Sequence, residues 1–325
     1  MTRATILGAG VAGLCVATEL IGRGCAVTVV DPAPEHGPHA CSWWAGGMLA
    51  PFCEGETAEE PVVRLGRKAA DWWARQGVPV IRQGTLVVTL GRDRRELDRF
   101  ARRVPQHRRL DGAALAALEP DLGGRFERGL HVAEEAHLDP RAALRHLRER
   151  LSQAGAVFAS APAPGAGLTV DCRGLAARDV LPDLRGVKGE MAVLRSADIR
   201  LSRPVRLLHP RFPLYVVPRP GGLFMLGATQ IESDDRRRSV RSVLELLSAA
   251  YALHPAFGEA ELVEIGADAR PAFPDNLPRL SRRGDTIRVN GLFRHGFLLA
   301  PALARMAAEM ACDGTTPELM HADHG

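Results

Sequence analysis

Near the N-terminus the apolar positions change period twice. Thr5-Ile6-Leu7 reads as a strand, and Val11, Leu14, Ala17 and Leu20 recur at helical spacing, predicting a helix over 11–23 that stops at Gly24. Ala26-Val27-Thr28-Val29-Val30 is a second strand. Further along, the spacing predicts helices over 59–76, 92–103 and 113–118 and a strand over 84–90. Asp139 reads as the N-cap of a helix with Pro140 at its first position, running to about Ala154 and ended by Gly155. Residues 156–159 then return to the first sheet, 160–167 form a Pro-, Ala- and Gly-rich loop, and 168–172 form another strand.

From 189 to 263 the pattern becomes that of a second sheet. Met191-Ala192-Val193-Leu194, Leu214-Tyr215-Val216-Val217 and Leu223-Phe224-Met225-Leu226 are strands, the last two joined through Pro218-Arg219-Pro220-Gly221-Gly222 as a hairpin. The chain comes back through a strand at 287–290 and a helix over 298–311, in which Pro301 is placed in the first turn. The expected fold is α/β: a Rossmann-like dinucleotide-binding domain carrying an inserted, mainly antiparallel α+β domain. The boundaries place 1–83, 125–186 and 264–325 in the former and 84–124 and 187–263 in the latter.

Between the first strand and helix stands Gly8-Ala9-Gly10-Val11-Ala12-Gly13, and Asp31 closes the second strand 23 positions after Gly8. Gly8 permits the tight turn, Gly10 lets backbone approach a pyrophosphate, and Gly13 lets the helix lie close to the sheet. The helix N-terminus then offers free N–H groups to phosphates, while Asp31 accepts ribose hydroxyls and disfavours a 2′-phosphate. This predicts dinucleotide binding. In Cys41-Ser42-Trp43-Trp44-Ala45-Gly46-Gly47-Met48, the paired glycines suggest backbone packed against a large flat object, or else a hydrophobic turn.

Composition narrows the class. With 325 residues, the chain exceeds one ordinary domain, and 46% hydrophobic and 25% charged residues describe a globular enzyme with no apolar run long enough to cross a bilayer. A fingerprint at the very start leaves no room for a cleaved signal peptide, so a cytoplasmic protein is expected. The net charge is +4, with Lys68 and Lys188 the only lysines. Arg236-Arg237-Arg238 reads as a solvated helix start, so no nucleic-acid or membrane partner is expected. Six cysteines without metal spacing read as free thiols, and no metal site is expected.

Taken with the fingerprint, several motifs resemble the D-amino-acid oxidase family of flavoproteins, and among them the glycine oxidases of the thiamine pathway. They are Gly46-Gly47-Met48-Leu49-Ala50-Pro51, Glu119-Pro120, Leu138-Asp139-Pro140-Arg141, Tyr215-Val216-Val217-Pro218-Arg219, Gly227-Ala228-Thr229, Ala269-Arg270-Pro271 and Phe293-Arg294-His295-Gly296-Phe297-Leu298-Leu299-Ala300-Pro301. The resemblance implies FAD as cofactor, with Gly8, Gly10, Val11, Ala12, Gly13, Asp31, Pro32 and Gly174 around its adenosine and phosphates. Cys41, Ser42, Gly46, Gly47 and Met48 would lie along the flavin, and Arg294, His295, Gly296, Phe297 and Leu298 at its far end.

It also implies a small amino-acid substrate held through its carboxylate by Arg270 and Tyr215, with Arg294 nearby and Met48 filling the space of a substrate side chain. A guanidinium suits this because its planar fork pairs with a carboxylate. The other reading of Arg270 is an ion pair with Asp268 or Asp275. A helix starting near Leu298 would aim its amides at the edge of the flavin where negative charge accumulates.

The chain departs from the family pattern at Asp268, where a glycine is usual, at Leu292, where an aromatic residue or His is usual, and at His295, where Asn is usual. His295 is assigned a backbone-positioning role rather than that of a base. The implied reaction is oxidation of glycine or a similar amine to an imine with O₂ as acceptor, the imine feeding thiazole formation. Sarcosine or D-amino-acid oxidation, a flavin dehydrogenase and an NAD-dependent dehydrogenase stay open, as does a homo-oligomeric state.

Overall fold

The computed structural model describes residues 2–33, 35–162, 167–210 and 213–321. Arg3–Leu7 lies inside a six-stranded sheet in the order Arg279–Arg283, Thr286–Asn290, Leu168–Asp171, Arg3–Leu7, Ala26–Val30, Val157–Ala159. All neighbours run parallel except the first pair, and Ile6 sits opposite Val29 on one side and Val170 on the other. Parallel strands need crossovers, and two helices on one face supply the covering layer: Val11–Gly22 packs against Gly296–Cys312. Ile6, Leu14, Leu20, Leu147 and Leu299 are buried in the core that results.

The expected cap of the central helix is present. Asp139 accepts hydrogen bonds from the Arg141 and Ala142 N–H groups, and the helix runs Pro140–Gln153. Two helices differ from expectation. The stretch 59–76 forms two short helices, Glu60–Gly66 and Ala69–Arg75. The last helix begins at Gly296, so Pro301 lies beyond the first turn. Proline has no N–H for the Phe297 carbonyl one turn back, and the Trp73 indole N–H donates to that oxygen instead, at 2.9 Å. The middle of the expected loop, 163–166, lies outside the described residues.

The second sheet has nine strands and is antiparallel except where Val205–Leu208 runs parallel to Thr85–Thr89. Its long strands, Arg185–Arg195 and Glu261–Ala272, pair along their length. The hairpin Leu214–Arg219 to Leu223–Gly227 closes with Arg219 opposite Leu223. Pairing moves two strands across the expected boundaries. Arg128–Val132 pairs with Thr85–Thr89 and Arg108–Asp111, and Glu261–Ala272 belongs wholly to this sheet, so neither sits with the Rossmann-like sheet as cuts at 125 and 264 would have it.

Candidate active site

A cavity of about 1200 Å³ is lined by residues of both sheets, and it begins at the glycine-rich turn. Gly8 takes φ +98°, and a Cβ there would stand 2.7 Å from the Cys172 carbonyl oxygen. Gly8, Gly10, Val11 and Ala12 line the cavity. Gly13 does not: a Cβ on it would lie 1.9 Å from the Gly8 oxygen, so its place is in the contact between helix and turn. Asp31 and Pro32 also line the cavity. One Asp31 oxygen accepts the Ala9 N–H at 2.8 Å and the other the Ala33 N–H at 3.0 Å, leaving further lone pairs on each. Ser42 lines the cavity as well. Its hydroxyl accepts the Val11 N–H at 3.1 Å, which puts it at the helix N-terminus, where a pyrophosphate would sit. Gly174 lines the same end, its carbonyl held by the Asn290 side-chain amide.

Beside the glycine-rich turn, where a Cβ on Gly296 would stand 3.3 Å from Val11 Cγ1, the helix Gly296–Cys312 starts with no side chain capping it, and Arg294, His295, Gly296, Phe297 and Leu298 all line the cavity. The approach is constrained. Phe293 adopts φ 49°, uncommon for an aromatic residue, and its N–H donates to the Pro271 carbonyl at 2.8 Å. Two neighbouring helix N-termini facing one cavity, with a carboxylate at the ribose position, fit a dinucleotide that carries a ring system. The site thus meets the chemical requirements of FAD.

Arg270 projects into the middle of this space from Glu261–Ala272. Its guanidinium lies over Gly189, where any Cβ would stand 2.0 Å from Nη2, and Nη1 donates to the Thr229 carbonyl at 3.3 Å. Burial pulls its pKa down, opposed by Tyr215 and Cys41. Among the described residues no carboxylate pairs with it: Asp268 is taken by Arg236 at 2.8 Å and Asp275 by Arg279 at 3.2 Å. That removes the ion-pair reading. Tyr215 also lines the cavity, its ring against Gly46 and Gly227, and burial pushes its phenol pKa up.

The glycine pair proves to be needed by the chain itself. A Cβ on Gly46 would meet the Tyr215 ring at 2.9 Å, and one on Gly47, at φ +70°, would meet the Leu138 oxygen at 2.2 Å. Both still line the cavity, as do Met48 and Cys41. Met48 also packs toward the cluster around Phe52 and Phe100.

Sequence reasoning missed Glu54. It ends the four-residue helix Pro51–Glu54 and receives Arg294 Nε at 2.8 Å, His295 Nε2 at 3.0 Å and the Arg206 guanidinium. Burial alone would push its carboxyl up, but Arg294, Arg206 and His295 outweigh this and hold it well below the usual carboxylate range. Arg294 is therefore committed to Glu54 and to Thr57 Oγ1 at 2.7 Å rather than free in the cavity. No signal in the sequence marks Glu54, whose partners stand 152 and 241 positions away.

The profile of the FAD dependent oxidoreductase family, DAO, matches residues 3–310. The chain belongs to that family. Its dinucleotide is accordingly FAD, and the nicotinamide alternative falls away. This oxidoreductase is 53% identical over 324 residues to a Rhizobium etli protein that carries the name thiamine biosynthesis oxidoreductase ThiO, covering 97% of this chain and 98% of that one. It is 27% identical to a glycine oxidase of Pseudomonas aeruginosa over 95% of this chain and 94% of the relative. The crystal structure of glycine oxidase from Geobacillus kaustophilus superposes with a TM-score of 0.81 at 22% identity, over 98% of this chain and 97% of that one, which shows the shared fold. Among the described residues no helix is long and apolar enough to cross a membrane, no group of three metal-binding side chains occurs, and the cysteines are free.

Asp31→Asn tests the ribose end. It keeps the side-chain shape and removes the charge that strengthens each hydrogen bond, by about 1.5–3 kcal/mol for a bond to a charged group. The expected outcome is a roughly tenfold or greater rise in the Kd for FAD, measured by rebinding to apoprotein, and unchanged affinity would contradict the assignment.

Proposed function

We propose that this oxidoreductase oxidises glycine, or an amine of similar size, to the imine, that O₂ is the final acceptor and leaves as hydrogen peroxide, and that the imine supplies thiazole formation in thiamine biosynthesis. The observation that carries this reading is the Arg270 guanidinium, in the cavity beside Tyr215 with no carboxylate of the described chain to pair with. A cation so placed asks for an anionic ligand. The relatives named for glycine oxidation and thiamine biosynthesis support an amino acid in that role.

FAD bound in the cavity supplies a two-electron acceptor. Arg270 holds the substrate carboxylate, with the Tyr215 hydroxyl as a second donor. The amides that open Gly296–Cys312 stabilise negative charge developing in the cavity. His295 is held through Nε2 by Glu54, which suits a positioning role. Met48 and the Gly46–Gly47 turn narrow the space next to the bound amine and exclude water. Peroxide release from glycine, sarcosine, D-alanine and D-phenylalanine tests the reading, with glycine and sarcosine, which carry no side chain on Cα, expected to react fastest and inactivity toward all four counting against it.

The same panel measures Met48. Met48→Ala is expected to narrow the kcat/KM gap between glycine and D-phenylalanine by roughly 1–3 kcal/mol, the range available from apolar shape differences. Because methionine is flexible, exclusion by the native side chain is partial. An unaltered order with lower thermal stability would place Met48 in the packing around Phe52 instead.

A further inference from the structure

Arg219 belongs to the Tyr-x-x-Pro-Arg segment but takes no part in the substrate site: it is absent from the cavity wall that Tyr215 forms four residues earlier on the same strand. Residues i and i+4 of a strand share a face, so both side chains reach the same turn. The Tyr215 ring packs on the Cα side of Gly46, and Arg219 Nη2 donates to the Gly46 carbonyl. A trans peptide plane points its C=O and N–H in opposite directions. With the Gly46 oxygen turned to Arg219, which is not among the cavity-lining residues, the Gly47 N–H points away from Arg219, and among the described residues it has no acceptor.

Among the described residues no carboxylate forms an ion pair with the guanidinium, although the Asp139 charge acts on it. The carboxylates around it are engaged elsewhere: Asp139 caps its helix, and Glu264 pairs with Arg141 at 2.7 Å. His137, opposite Met48 in the short sheet behind the turn, is buried with both ring nitrogens unpartnered, and burial followed by Arg219 brings its pKa down to about 4, so it is neutral at neutral pH. Burial likewise brings Arg219 down to about 10, still charged.

We propose that Arg219 is a positioning residue that tunes the flavin from behind the Gly46–Gly47 turn: it fixes the 46–47 peptide so that the Gly47 N–H faces the flavin cavity, and its charge, which no carboxylate of the described residues contacts, favours the electron-rich reduced cofactor. A cation on the carbonyl oxygen polarises the amide and strengthens its N–H as a donor. The inference rests on FAD and not on the identity of the amine.

The test compares Arg219→Gln, which keeps a donor for the Gly46 carbonyl and removes the charge, with Arg219→Lys, which keeps both. Sulfite is titrated into each FAD-loaded protein, and the flavin midpoint potential is read in parallel without any amine present. The Gln variant is expected to bind sulfite about tenfold more weakly, corresponding to a potential lower by about 30 mV for a two-electron couple. The Lys variant is expected to stay closer to wild type. Wild-type sulfite affinity and potential in Arg219→Gln, equal changes in both variants, or failure of both to fold would overturn the proposal and leave Arg219 a structural cation. Because no amine enters the measurement, these outcomes stand apart from failure of the glycine reading.

Discussion

Replacing Arg270 with alanine is expected to raise KM for glycine by roughly thirtyfold or more with FAD content unchanged. Removing one partner of a closed, hydrogen-bonded charge pair costs about 2–5 kcal/mol, because the substrate carboxylate is left without its counter-charge. Arg270→Lys keeps the charge but not the fork that pairs with two carboxylate oxygens, so its loss should be smaller. Two neighbouring cations are engaged elsewhere. Arg294 is held by Glu54 and Thr57, and Arg219 by the Gly46 carbonyl. Steady-state kinetics on both variants, with flavin absorbance as the control for cofactor content, make the comparison. Unchanged kinetics in Arg270→Ala would remove the carboxylate anchor from this position.

The second large effect belongs to Glu54. Glu54→Gln leaves Arg206, buried except at its rim, and Arg294 without their shared counter-charge, and breaking such a pair costs about 3–5 kcal/mol. The effect has a defined pH dependence. The folded-state pKa lies below the ordinary carboxylate value, so the stabilisation is fully present above the unfolded pKa and is lost as pH falls through the folded one. The difference between thermal melts of wild type and Glu54→Gln should be largest near neutral pH and shrink as the pH falls below the ordinary carboxylate pKa. A constant difference across that window would mean that Glu54 is not held ionised by these partners. The variant should also free Arg294 and disturb the start of Gly296–Cys312, since His295 loses the partner of its Nε2.

What could be read from the chain was local. The turn from Gly8 to Gly13, the acid at Asp31 and the Asp139-Pro140 helix start are each fixed by contacts within a few residues or between adjacent strands, so spacing alone exposes them. Arg270 and Tyr215 were legible through motif resemblance, and the structure brings both to one cavity. Glu54 was not legible, because a carboxylate at the end of a four-residue helix gains meaning only from Arg206, Arg294 and His295, which other elements deliver. The same holds for Pro301, whose tolerance depends on the Trp73 indole, and for Gly46, whose missing side chain makes room for Tyr215. The strand Arg128–Val132 crossed its expected boundary for a related reason: a run of buried residues states that it is covered on both faces, not which sheet it joins.

The central claim is that one cavity holds FAD and presents a small amino acid to it through Arg270. The most direct measurement mixes the purified, FAD-loaded protein with glycine under anaerobic conditions and follows the visible flavin band. The account predicts that the band bleaches as the flavin takes two electrons from glycine, that it returns when air is admitted, and that Arg270→Ala needs far more glycine to bleach at the same rate. A band that persists in the wild-type protein through saturating glycine, sarcosine and D-alanine would contradict it.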